Sequence, residues 1–321
     1  MPKVSIITPC YNSDRYIGRT IASVQSQTFT DWEHIIVDDG SNDSSASIVQ
    51  KFAAKDKRLS LIQQANGGVA KARNIGFNAA SKESKYLLFL DADDCLKSEM
   101  LEIMSNYLDQ HLDVGLVYCG CSYIDANDLP IATPHFPRYA PSRFSVYELS
   151  DEQPETPFVS IFTLAPIIPS KSLIRRFHYE QTPGWDEAFG QHYEDTDMFI
   201  NISLNSKVHY LPWQLLLHRR HDQQSTSDTR KFASQEQKLY QKWLNLETLT
   251  KEQKLLVKSG WQFRERRLIS FIGWQAGNRH LQQGEINQAL RFYIGAFRRY
   301  LWFFPSLVIS SHSHKHGDTT T

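Results

Sequence analysis

Tyr86–Leu90, YLLFL, runs directly into Asp91–Ala92–Asp93–Asp94. Five apolar residues followed by three carboxylates in four positions describe a buried strand that ends in a polar loop. The same unit occurs three times earlier. Val4–Ile7 precedes Thr8–Pro9–Cys10–Tyr11–Asn12, His34–Val37 precedes Asp38–Asp39–Gly40–Ser41, and Leu59–Ile62 precedes Asn66–Gly67–Gly68. Between these runs the spacing turns helical: Ile17, Ile21 and Val24, then Ile48, Phe52 and Ala53, then Val69, Ala72, Gly76 and Ala79. A helix from about Ser98 to Leu108 and a fifth run, Val114–Tyr118, continue the alternation. Strand alternating with helix predicts an α/β fold, a mostly parallel sheet flanked by helices. In open sheets of this kind ligands bind beyond the carboxyl ends of the strands. Four strand ends rich in Asp, Asn and Gly therefore define one cleft.

The chain has 321 residues, 41% of them apolar, which suffices for a sizeable core. Lysine plus arginine balances aspartate plus glutamate at 35 each, so nothing global attracts nucleic acid, and none is expected as a partner. Cys10, Cys95, Cys119 and Cys121 form no CxxC pair and read as reduced thiols of a cytoplasmic protein. The opening MPKVSIITPCYN reads as a first strand rather than a signal peptide. The longest apolar candidate for a membrane span, Tyr300–Ile309, is half the required length and contains Pro305. From Asp125 to Tyr179 no element is assigned, and segment 126–185 is a source for a lid and an acceptor wall. Asp195–Ser203 reads as a helix, Val208–Leu217 as a strand, and the chain turns helical and charged from about Arg230. The expected organisation is a catalytic domain over 1–228, a helical region over 229–310 and a disordered tail over 311–321. His312, His314 and His316 in that tail read as solvated rather than metal-bound.

The Asp91–Asp93 pair supplies the hard oxygen ligands that suit Mg²⁺ or Mn²⁺. The competing role is a helix cap, which Asp94 or Ser98 supplies alone. Asp38–Asp39–Gly40–Ser41 is either a capped turn or a carboxylate receiving N–H donors from a nucleobase, and its place at the cleft mouth favours the second. Arg73 and Asn74 open the helix after Gly67–Gly68, where anions are favoured. For Arg73 two readings stand, a partner for phosphate or base and a solvated surface side chain. Glu194–Asp195 opens another helix behind Trp185–Asp186–Glu187 and Gly190, as a cap or as a proton acceptor. His218–Arg219–Arg220–His221 is either a solvated basic turn or a histidine for the metal with an arginine for a diphosphate.

Together these segments resemble the family 2 glycosyltransferases of GT-A fold. The resemblance lies in VSIITPCYN, IIVDDGSNDSS, NGGVAKARNIG, YLLFLDADD, GWDEAFGQHYEDTDMF and HRRH, in order over roughly residues 1–225. It implies a nucleotide-sugar donor site at Pro9, Tyr11, Asn12, Asp38, Asp39, Gly67, Gly68, Arg73, Asp91 and Ala92, with Asp39 on the nucleobase and Asp91 on the ribose or sugar. It implies Asp93 and His221 as ligands of Mn²⁺ or Mg²⁺. Asp195 would be the catalytic base with Glu194 the next candidate, and Arg219 or Arg220 would neutralise the leaving diphosphate. The usual tyrosine-arginine-x-histidine ending stands here as HRRH, and alignment of the arginine favours His221 over His218. The implied activity is inverting transfer from a nucleotide diphosphate sugar, by family habit UDP with dTDP and GDP open. The implied acceptor is a glycan or lipid-linked hydroxyl in bacterial cell-envelope polysaccharide synthesis. A sugar nucleotidyltransferase would carry a basic Gly-rich loop where this chain has TPCYNSDRY, and a silent binding protein would lack Asp93 or Asp195.

The stretch Glu285–Ile309 sets Leu290, Tyr293, Ile294 and Phe297 at helical spacing with Arg291, Arg298 and Arg299, followed by Leu301, Trp302, Phe303 and Phe304. Such a helix packs on the catalytic domain or on a second subunit, making a homo-oligomer. The alternative is peripheral attachment to the inner face of an anionic membrane.

Overall fold

Four apolar runs become four neighbouring parallel strands. A computed structural model describes residues 2–131, 155–156, 158–164, 167–190, 192–222 and 229–301. The strands are β1 Val4–Cys10, β2 Trp32–Asp38, β3 Leu59–Gln63, β4 Tyr86–Phe89, β5 Cys95–Leu96, β6 Val114–Ile124, β7 Pro130–Ile131, β8 Ser172–Arg175 and β9 Lys207–Arg219. They form one nine-stranded sheet in the order β3-β2-β1-β4-β8-β6-β9-β5, with β7 on β6. β3, β2, β1 and β4 are parallel throughout. β8 then enters antiparallel between β4 and β6, β9 runs parallel to β6, and β5 is antiparallel to β9.

The helices of this unit are α1 Ile17–Gln25, α2 Ser45–Ala53, α3 Val69–Ala79, α4 Met100–Gln110, α5 Phe158–Leu164, α6 Arg176–Tyr179, α7 Glu194–Asn205 and α8 Thr229–Asn245. β4 is buried along its whole length, as a strand covered by helices on both faces must be. Ile6, Ile21, Ile36, Leu88, Met104, Leu108 and Val117 join one core. Burying each such side chain stabilises the fold by about 1.5–3 kcal/mol. Gly76 lets α3 lie close on the sheet, because a Cβ there would sit 2.4 Å from the Ile7 side chain.

Register sets the site. β1 pairs with β2 as far as Cys10–Asp38 and β2 with β3 as far as Asp38–Gln63, so Tyr11, Asp39 and Gln64 leave the sheet at one edge. β4 ends on the same edge, just before Asp91. The pairs Cys95–Leu217 and Leu96–Leu216 bring the end of β9 back beside the Asp91–Asp94 turn.

The chain divides into two compact units, Met1–Asn245 and Leu246–Thr321. The boundary thus falls 17 residues beyond the 228 expected from composition, because α8 belongs to the first unit. Its charged exterior hides Leu239 and Trp243, which are fully buried. In the second unit α9 Lys251–Gln282 turns at Gly284 (φ +78°) into α10 Ile286–Leu301. Tyr293 lies over Gly277, where a Cβ would clash at 2.4 Å, and its hydroxyl donates to Asn278 Oδ1 at 2.6 Å. Tyr293 therefore faces α9, whereas Ile286, Leu290 and Ile294 are exposed at spacings of four. No described helix is long and apolar enough to cross a membrane. The four cysteines are free thiols, with Cys10, Cys95 and Cys119 buried. Trp302, Phe303, Phe304, Pro305, the tail 311–321 with its three histidines, and residues 132–154 of the expected lid and acceptor wall lie outside the described residues.

Candidate active site

The Asp91–Asp94 turn uses its three carboxylates differently. Asp94 is wholly buried, and its Oδ1 accepts from the Arg219 backbone N–H at 3.0 Å and pairs with His218 Nδ1 at 2.9 Å. Burial alone would weaken the His218 charge, but the Asp94 carboxylate outweighs it and raises the pKa above 6.5. His218 is thus tied down behind the turn. His221 Nε2 instead faces Asp93 Oδ2 at 2.9 Å, with Asp93 and His221 each part-exposed. Thr20 Oγ1 donates to the carbonyls of Ala92 and Asp94, both at 2.8 Å, and locks the turn onto α1.

Arg219 is placed behind the acidic turn. Its side chain is fully buried, donating from Nε to the Asp93 carbonyl at 2.7 Å and from Nη1 to the Asp125 carbonyl at 2.9 Å, and pairing with Asp128 at 2.5 Å. The guanidinium holds the backbone of the acidic turn. Arg220 is half-buried and lies over the Tyr123 ring at 5.5 Å.

Arg73 is not a solvated side chain. It is 3% exposed, and joins Asp91 Oδ1 at 2.8 Å to Glu194 Oε1 at 3.0 Å. Its guanidinium lies over the Trp185 ring at 4.4 Å. Asn74 secures that tryptophan by donating to its carbonyl and accepting from its N–H, both at 2.9 Å. Burial, reinforced by the Asp195 charge and opposed by Arg73, pushes Glu194 up to about 7. Burial also raises Asp195, whose Oδ1 accepts from the Thr196 N–H at 2.6 Å. Asp195 is half-buried, and a raised pKa brings a carboxylate closer to that of an effective proton acceptor.

At the other end of the cleft Asp39 accepts from the N–H groups of Gly67 and Gly68, both at 2.8 Å, and from Gln64 Nε2 at 2.6 Å. These use three of about four acceptor positions and pin the loop before α3. Gly68 (φ +91°) starts that helix in a conformation that favours glycine. Asp38 is buried, and its carboxylate accepts from Ser41 N–H and Gln63 Nε2, both at 3.3 Å. Asn12 (φ +47°) accepts from the Asn42 N–H and donates its own N–H to Ser41 Oγ, both at 2.9 Å. Asp38 and Asn12 thus brace the loops at this end of the cleft. Pro9 is half-buried at the end of β1, Tyr11 is 46% exposed, and the Ala92 side chain is buried.

Sequence reasoning did not single out Tyr16, whose ring stands 4.6 Å from that of His221 and 5.1 Å from the Arg219 guanidinium. It also omitted Ser170, whose Oγ accepts from the Asp91 N–H at 3.1 Å. Neither carries a local signal, since both act through segments distant in sequence.

Among the described residues no three His, Cys, Asp or Glu side chains converge as a ready metal cage. Asp93 and His221 nonetheless fit a divalent cation that takes its remaining ligands from water and phosphate. Their donor atoms face each other at 2.9 Å, and His221 Nδ1 has no hydrogen-bond partner.

The model of glycosyl transferase family 2 matches residues 5–182, over half the chain. The chain belongs to this family. The matched span ends before Glu194, so the carboxylates of α7 and the end of β9 lie beyond it. EpsJ, an uncharacterized glycosyltransferase of Bacillus subtilis, is 40% identical over 37% of this chain and 34% of its own. TarS of Staphylococcus aureus, a poly(ribitol-phosphate) β-N-acetylglucosaminyltransferase, is 36% identical over 35% of this chain and 20% of its own. The chain spans well under half the length of these curated relatives. The fold is shared with TarS 1–349 in complex with UDP-GlcNAc (TM-score 0.61, 18% identity, 92% of each chain). It is also shared with the mannosyltransferase PcManGT of Pyrobaculum calidifontis in complex with GDP-Man and Mn²⁺ (TM-score 0.64, 15% identity, 97% and 83% of the two chains).

Proposed function

We propose that this chain is an inverting, metal-dependent glycosyltransferase that moves a sugar from a UDP-sugar to a hydroxyl of a glycan or lipid-linked acceptor in cell-envelope polysaccharide synthesis. The observation that carries this reading is the meeting of two acidic groups at one sheet edge. Asp93 stands with His221 on one side, while Arg73 ties Asp91 to the helix that carries Asp195 on the other. A divalent cation held by Asp93 and His221 would supply positive charge to the leaving diphosphate. Asp39 receives the nucleobase edge, and Arg73 orients Asp91 toward the ribose or sugar. Arg220 adds positive charge beside the diphosphate. Asp195 takes the acceptor proton as that hydroxyl attacks the anomeric carbon from the face opposite the leaving group. The relatives' names support the substrate class, since TarS acts on poly(ribitol-phosphate) and TuaG of B. subtilis is named for teichuronic acid biosynthesis.

Incubation with UDP, dTDP and GDP sugars, with and without Mn²⁺ or Mg²⁺, tests the reading. Release of a nucleoside diphosphate supports it. Formation of a nucleoside triphosphate and a sugar 1-phosphate on addition of pyrophosphate would make the chain a nucleotidyltransferase, and binding without release would make it a silent binding protein.

The exposed Ile286, Leu290 and Ile294 beside exposed Arg291 favour peripheral attachment to an anionic membrane on its cytoplasmic face. Full-length chain should float with anionic liposomes at low salt, and Leu290→Asp with Ile294→Asp should not. If both float equally, or if sedimentation shows the stripe joining two copies, the membrane contact is refuted.

A further inference from the structure

The helix that carries Asp195 starts without a side-chain N-cap. The residue before it, Tyr193, has φ +69° and gives α7 no side-chain cap. Its first turn holds three carboxylates, Glu194, Asp195 and Asp197, and the Asp195 charge adds to the burial that disfavours ionised Glu194. Arg73 from α3 restrains Glu194 on one side. The opposite side is restrained by α8, beyond the span of the family model.

Asp197 is 1% exposed, and both its oxygens are taken by consecutive residues of α8. Trp243 Nε1 donates to Oδ1 at 2.9 Å and Lys242 Nζ donates to Oδ2 at 2.7 Å. Lys242 Nζ also donates to Asp186 Oδ2 at 2.8 Å, while Asp186 Oδ1 caps the next turn through the Ala188 N–H at 2.9 Å. Lys238 donates to the Ala188 carbonyl, and Lys238 and Lys242 both lie against the Phe189 ring. Asp186 follows Trp185, the residue that lies under Arg73 and is clipped to Asn74. A closed ring of contacts results, running from α3 through Trp185 and Asp186 to Lys242, then to Asp197 and back through Glu194 to Arg73. Asp195 stands between the two anchored carboxylates of α7.

We propose that Lys242, with Trp243, is a positioning residue for the transfer reaction, fixing the first turn of α7 so that the Asp195 carboxylate is held toward the acceptor hydroxyl. This rests on the reading of Asp195 as the base. Lys242 touches no reacting atom, and its single ammonium joins the two acidic segments that carry Asp186 and Asp197.

The test uses the full chain with UDP-N-acetylglucosamine and Mn²⁺, following UDP release, in Lys242→Met, Trp243→Phe and Lys242→Arg. Loss of an orienting contact lowers turnover without weakening donor binding, so kcat should fall about 10- to 100-fold in Lys242→Met while KM stays within about twofold. Trp243→Phe keeps the aromatic packing, loses one donor, and should fall less. Lys242→Arg, which can reach both carboxylates, should recover most of the loss. Unchanged kcat in Lys242→Met, an equal loss of donor affinity, or failure of the arginine to rescue would overturn the proposal. Hydrogen exchange of α7 amides is read on the same proteins. Faster exchange at 194–199 in Lys242→Met is expected, and parent-like protection there refutes the clamp even if the parent turns over no UDP-sugar. That last result of the parent would count against the donor reading alone.

Discussion

Replacing Arg73 with methionine removes the cation that Asp91 and Glu194 share while keeping an apolar stem over Trp185. Glu194 is almost fully buried, so its carboxylate loses compensation that solvent cannot restore. Breaking a buried pair from one side costs about 3–5 kcal/mol. For a unit of this size each kcal/mol moves Tm by roughly 2–4 °C, so at pH 8 Tm should drop by roughly 6–20 °C. Protonation offsets part of this. Glu194 is pushed up to about 7 from 4.5 by burial and by Asp195, against the pull of Arg73. A carboxyl raised on folding stabilises fully below its unfolded value, and that contribution is lost as pH rises through the folded value. In the parent the window runs from 4.5 to about 7. Without Arg73 the folded value climbs further and the window extends upward. One pKa unit is worth about 1.4 kcal/mol, so the deficit of Arg73→Met should shrink by about 1 kcal/mol between pH 8 and pH 6. Scanning calorimetry of both proteins at the two pH values measures it. A Tm within 2 °C of the parent at pH 8 would show that the ion pairs contribute nothing, and a deficit independent of pH would show that Glu194 is not the group left exposed to the loss.

Asp195→Asn keeps the size and the Thr196 N–H contact but cannot take a proton, so kcat should fall about 10²–10⁴-fold with donor KM nearly unchanged. Near-normal transfer would move the role to Glu194. Asp93→Ala should abolish UDP release at an unchanged Tm, and full activity of the parent in excess EDTA would refute metal dependence. Asp94→Asn keeps an acceptor for the Arg219 N–H but loses the charge that raises His218. A histidine raised on folding stabilises below its unfolded value of 6.5 and loses that contribution as pH rises through the folded value. The variant should therefore trail the parent by about 1–2 kcal/mol near pH 5.5 and less near pH 8.5. Equal deficits in urea melts at both pH values would sink the argument.

The parallel half of the sheet was legible because β1 to β4 are near-continuous apolar runs ending in Asp, Asn or Gly, and the polar ends fall at one edge as that pattern implies. β8 was not legible, since Ser172–Arg175 is too short to show a period and takes its place between β4 and β6 only through long-range pairing. The same limit applies to the site. Asp91 and Glu194 stand 18 and 121 residues from Arg73, so nothing local distinguishes a buried hub from a surface arginine. Composition placed the domain boundary at the first charged helix, yet Leu239 and Trp243 pack inward.

Each acidic cluster divides its carboxylates in the same way. In the turn after β4, Asp94 is fully buried and taken by His218 and Arg219, while Asp93 stays part-exposed beside His221. At the start of α7, Asp197 is buried and taken by Lys242 and Trp243, while Asp195 stays half-buried with its Oδ1 on the next N–H. A part-exposed carboxylate on a short turn holds its direction poorly unless the neighbouring backbone is fixed, and the buried neighbour supplies that fixation through charge-assisted hydrogen bonds. Composition treats Asp93 and Asp94, or Asp195 and Asp197, as equivalent. What separates them is which one meets a hydrogen-bond partner brought in by β9 or by α8, and that follows from strand order and helix packing rather than from the motif.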